Sequence, residues 1–119
     1  MRSWLSLALL LGACGSDSSS QVPDPPDEET CRTSYVDYSN FGEPFALDWC
    51  RGCHSASLPS NMRQNAPATI NFDTQAEILA QKDRILIRAA SAQPTMPPAG
   101  GPSEAERALL AEWLGCGGR

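Results

Sequence analysis

Apolar positions recur with helical spacing in three stretches of the chain. Phe41, Phe45 and Trp49 fall at intervals of four, one stripe of a helix that runs up to residue 50. Thr74-Gln75-Ala76-Glu77 has the S/T-x-x-E form of a capping box and precedes Ile78 and Leu79. Ile85, Leu86 and Ala89 extend that apolar face, in a second helical segment after Asp83. Ser103 as N-cap with Glu106 three positions inside opens a final helix, with Ala105, Ala108, Leu109 and Trp113 as its expected buried face and Gly115 at its end. Between the last two stretches, Pro94 to Pro102 holds four prolines and two glycines, which excludes a helix there. Two Val and four Ile are too few β-branched residues to fill a large sheet. The pattern predicts an all-α fold.

At 119 residues the chain admits one small domain. Residues 1–13 read as an export signal, with Arg2 as the positive region and an apolar run from Trp4 to Leu11. That run is far short of the roughly 20 apolar residues that span a bilayer. Residues 15–30 (GSDSSSQVPDPPDEET) carry five acids, no base and no aromatic, a composition that cannot bury enough apolar surface to fold. They read as a tether, reaching at most roughly 50 Å when extended. The chain has 9 Lys+Arg against 14 Asp+Glu, a balance that argues against a nucleic-acid partner. The excess lies in the tether, so it says little about a docking surface. The expected organisation is a signal over 1–13, Cys14 with the linker over 14–30, and a folded domain over 31–119.

Cys50-Arg51-Gly52-Cys53-His54 is the most specific signal in the sequence, and His54 is the only histidine. Thiols at i and i+3 lie on one face of a helical turn, where both can reach the same flat ligand. The adjacent imidazole supplies an axial nitrogen near the centre of that ligand. One covalently attached haem c requires this arrangement: two thioethers to the vinyl groups and a nitrogen on iron. A thioredoxin-like dithiol would need a βαβ context that this strand-poor chain lacks. A structural zinc site would need four ligands, and there is no second C-x-x-C and no other histidine. A Cys50–Cys53 disulfide would leave His54 unexplained. For a second ligand, Met96 sits in the stiff proline-rich stretch, whereas Met62 lies in the polar run Ser60 to Gln64; gap-filling in the core is the competing role for either.

Over residues 35–115 the chain resembles the mono-haem cytochromes c. The resemblance rests on Trp49-Cys50-Arg51-Gly52-Cys53-His54-Ser55 at one end, and on Arg88-Ala89-Ala90 through Pro94-Thr95-Met96-Pro97-Pro98 with a final amphipathic helix at the other. It implies His54 as proximal and Met96 as distal ligand of a haem wrapped by a small helical domain. It also implies a proline carbonyl that orients the imidazole, from Pro59 or Pro67. First and last helices cross in that fold, which would bring Cys31 and Cys116 together as a disulfide. Leu11-Gly12-Ala13-Cys14 in turn resembles the lipobox of bacterial lipoproteins, implying lipid on Cys14.

With both axial positions filled, substrate has no place on the iron, and a thioether raises the potential relative to a bis-nitrogen site. The expected function is a membrane-anchored carrier of single electrons between redox protein partners, not itself an enzyme. The alternatives are a haem-bearing subunit of an oxidase, reductase or dehydrogenase, a haem ligand sensor or peroxidase, and, more remotely, a haem-free thiol redox protein. Lipidation would place the chain in the bacterial cell envelope, with Gly15 favouring the outer membrane and the domain facing the periplasm or the cell surface. Nothing in the sequence speaks to oligomeric state.

Overall fold

The computed structural model describes residues 22–119. The signal segment, Cys14 and the first part of the tether lie outside the described residues. Among those described there is no strand, in keeping with the all-α expectation, and no helix long and apolar enough to cross a membrane.

Helix α1 spans Glu28–Thr33 and starts inside the segment whose composition reads as tether. Local and covalent effects account for the difference. Asp27 accepts a hydrogen bond from the Thr30 amide at 2.7 Å, and Glu28 and Glu29 lie at the positive end of the helix dipole. Cys31 is disulfide-bonded to Cys116 at the other end of the domain, across a sequence separation of 85. Pro26 packs so closely on Gly115 that a Cβ there would lie 2.3 Å from the proline ring. The folded unit therefore begins before residue 31.

A π-helical turn, Tyr38–Gly42, leads into α2, Glu43–Trp49, so the aromatic stripe is divided between two elements. Phe41 on the turn meets Phe45 on α2 with ring centroids 5.5 Å apart. Further on, α3 (Gln75–Ala80) has the full capping box, with Thr74 and Glu77 bonding each other's backbone amides. A short α4, Lys82–Ile85, passes into a second π-helical turn, Leu86–Ala90. The last helix, α5, spans Glu104–Gly115 with the predicted Ser103–Glu106 box.

The buried face of α5 matches the expected one at Trp113 and is otherwise rotated from it. Leu110, Trp113 and Leu114 are buried, Leu109 is half-buried, and Ala105 and Ala108 are exposed. Positions 110, 113 and 114 share one helical face, and it carries the larger apolar groups inward. Trp113 is the centre of the core at 1% exposure, with Tyr38 and Phe41 around it at centroid distances of 6.3 and 6.4 Å. Gly42 is required beneath it, since a Cβ would stand 2.5 Å from the indole. Val36, Phe45, Ala46, Phe72, Ile78, Ala89 and Ala90 complete the buried apolar set. The Tyr38–Gly42 turn and α5 thus pack together around Trp113, and the disulfide joins Cys31 of α1 to Cys116 at the end of α5.

Candidate functional site

The C-terminal end of α2 feeds directly into the C-x-x-C-H turn. Cys50 caps the helix, and its carbonyl accepts from the Cys53 amide at 3.2 Å and the His54 amide at 2.9 Å. The tight turn carries both cysteines and the histidine within five consecutive residues. Among the described residues, Cys50 and Cys53 are bonded neither to each other nor to another cysteine. Burial pushes the Cys50 thiol up to about 12, with the Arg51 charge opposing in part. Among the described residues no cluster of three His, Cys, Asp or Glu that could hold a metal ion forms.

His54 is fixed on three sides. Its Nδ1 lies 3.0 Å from the Ile70 carbonyl oxygen, its own carbonyl accepts from the Phe72 amide at 2.9 Å, and its ring packs on Phe72 at a centroid distance of 5.0 Å. A carbonyl can only accept, so Nδ1 carries the proton and Nε2 presents a lone pair. No described residue hydrogen-bonds Nε2. The carbonyl that orients the ring thus comes from Ile70 and from neither expected proline. Pro67 instead accepts from Arg63 at 2.7 Å, and Pro59 accepts from the Met62 amide at 2.9 Å. A carbonyl in a loop is placed by the loop's path, and sequence spacing does not reveal that path.

Two arginines hold the loop in that path. Arg51, an unassigned position of the motif, donates to the carbonyls of Phe72 at 2.8 Å and Asp73 at 2.7 Å. Arg63 is buried at 4% exposure and donates to the carbonyls of Ser55, Pro67 and Ile70, the last at 3.1 Å. Asp73, which accepts from the Ala56 amide at 2.8 Å, has its carboxyl lowered, first by the Ser55 hydroxyl and then by that amide. Sequence reading missed Arg63 and Ile70. The only signal was an arginine directly after Met62, with no periodicity to mark it as buried.

The second methionine candidate sits in a similarly pinned loop. The Thr95 and Met96 amides both donate to the Arg88 carbonyl, at 2.8 and 2.9 Å. Arg107 on α5 reaches back to the carbonyls of Ala89, Met96 (3.3 Å) and Pro102 (3.3 Å). Met96 is half-buried against the core that Cys50 also borders, whereas Met62 is 57% exposed. Gly101, at φ +134°, lies face-on to Trp49, and a Cβ there would stand 2.2 Å from the ring. Trp49 in turn donates to Glu106 at 3.3 Å. The loop carrying Met96 is therefore packed against the residue that immediately precedes Cys50.

This donor set is chemically suited to a haem c: two uncommitted thiols on one turn and an imidazole with its Nε2 lone pair free. No family model, curated protein or solved structure matches the chain.

Proposed function

We propose that the chain is a c-type cytochrome that carries single electrons through one covalently attached haem. The observation that carries this reading is the His54 arrangement. Its Nδ1–H is held by the Ile70 carbonyl, which leaves the Nε2 lone pair uncommitted on the same turn as two cysteines in no disulfide among the described residues. Metal-bound histidines are fixed in the same way, by a hydrogen bond from the other ring nitrogen. Each thiol would add its S and H across one vinyl group of the porphyrin, with no leaving group and no net redox change. When bound, the haem supplies a one-electron iron couple. Cys50 and Cys53 would hold it, and His54 and Met96, the latter in its pinned loop, are the residues that would bind its iron.

With His and Met in place, the protein's part is to keep geometry constant while charge changes. Arg51 and Arg63 brace the histidine side, and Arg107 braces the methionine side. Cys14 carries lipid in this reading, the acidic segment spans the gap, and the domain meets redox protein partners at the bacterial cell envelope.

A poised redox titration of the full chain tests the carrier assignment. The absorbance should follow a reversible one-electron curve, and carbon monoxide should leave the ferrous spectrum unchanged until Met96 is replaced by Ala. Ready binding of carbon monoxide to the wild-type protein would overturn the carrier reading in favour of ligand sensing or peroxidase chemistry.

A further inference from the structure

Arg63 is a charged group in an unusual position. It is 4% exposed, and its guanidinium lies among backbone carbonyls: Ser55, Pro67 at 2.7 Å, Ile70 at 3.1 Å and Ala66 at 3.4 Å. The one ion pair among the described residues is Arg32–Glu29, elsewhere on the surface, so no carboxylate sits against this cation. Asp73 feels the Arg63 charge but makes no ion pair with it. A buried cation without a counter-ion is costly, and carbonyl dipoles offset only part of that cost.

The Ile70 oxygen has two lone pairs. One receives the His54 Nδ1–H at 3.0 Å and the other the Arg63 Nη2–H at 3.1 Å. The guanidinium and the imidazole therefore compete for the same acceptor. Drawing electron density from that oxygen weakens its pull on the Nδ1 proton, and Nε2 becomes a poorer donor. The uncompensated positive charge works in the same direction, because it disfavours the more positive oxidation state of a bound metal.

We infer that Arg63 is a positioning residue that raises the reduction potential of the centre, acting on His54 through the shared Ile70 carbonyl. This rests on the haem reading above. A role confined to bracing the loop would be served by donors alone, and the charge would then leave the potential unmoved.

The test compares the haem-loaded full chain with R63Q, which keeps donors but removes the charge, and R63K, which keeps the charge but loses the fork. At a fixed poise R63Q should raise the ferric-to-ferrous ratio about tenfold, a potential about 59 mV lower for a one-electron couple. R63K should restore more than half of that shift even if it is less stable than R63Q. In the diamagnetic ferrous state the His54 Nδ1–H resonance should also move in both variants, and this second readout stands if either variant is poorly stable. An R63Q potential equal to wild type, or a His54 resonance unmoved in both variants, overturns the inference while leaving the haem reading intact. A wild-type chain without covalent haem overturns both.

Discussion

Replacing Gly101 by Ala tests whether the Met96 loop is packed against the start of the C-x-x-C-H turn. Gly101 sits at φ +134°, a conformation that only glycine adopts easily, and its ideal Cβ would stand 2.2 Å from Cζ3 and 2.7 Å from Cε3 of Trp49. Those are rigid ring atoms, and the indole is tethered by its bond to Glu106 at 3.3 Å. Backbone strain of about 1–3 kcal/mol adds to overpacking of about 1–3 kcal/mol, so the substitution should cost about 2–6 kcal/mol. Gly100 provides the control. It also has positive φ, at +77°, but nothing lies within 4 Å of its Cβ, so Gly100→Ala should cost only about 1–2 kcal/mol of backbone strain. Urea unfolding of the full chain, followed by circular dichroism at equal slope, reads the difference. The packing argument fails if Gly101→Ala is no more destabilised than Gly100→Ala.

Other consequences follow from the ends of the fold. Replacing Cys31 and Cys116 together by Ser releases a closure over a sequence separation of 85, worth about 4.6 kcal/mol in the chain-entropy model. A guanidinium midpoint that moves by less than about 1 kcal/mol equivalent would show that the bond constrains little. The capping carboxylates set the acid limit. Asp37 is held low by the Asn40 amide and then the Ser39 hydroxyl, and Glu106 first by the Ser103 amide. These groups bind protons more weakly when folded than when unfolded. Their contribution is therefore complete above their unfolded values near 4 and is lost as pH falls through the lowered folded ones. The carboxylate contribution should decline below about pH 4, with Asp37→Asn flattening the decline; a pH-independent midpoint between 5 and 2 would contradict this.

What could be read from the sequence was local. Thr74–Glu77 and Ser103–Glu106 form the capping boxes their spacing predicts, because a cap is closed by residues three apart. The C-x-x-C-H turn likewise needs only its own five residues. The Cys31–Cys116 pairing came through resemblance, and the structure joins the two sulfurs. What was hidden depends on where distant loops meet. Arg63 stands in a polar run and looks like surface, and only the return of the chain at Pro67 and Ile70 buries it. The orienting carbonyl moved from the two expected prolines to Ile70 for the same reason. The face of α5 was misjudged because its small residues and its large ones both recur at helical spacing. Trp113, common to both sets, packs over Gly42 as expected, and Leu110 and Leu114 turn inward beside it. Helix α1 emerged from an acidic segment because a single cap and a covalent bond supply what its composition lacks.

The central claim is that Cys50, Cys53 and His54 hold a covalent haem. The full chain, produced in a bacterium that exports it and attaches c-type haem, is denatured and assayed by pyridine haemochrome together with intact mass. The account predicts one haem per chain that survives denaturation, and little folded protein when both Cys50 and Cys53 are replaced by Ser. A folded wild-type protein carrying no haem, or a double variant equally stable without it, would contradict the account.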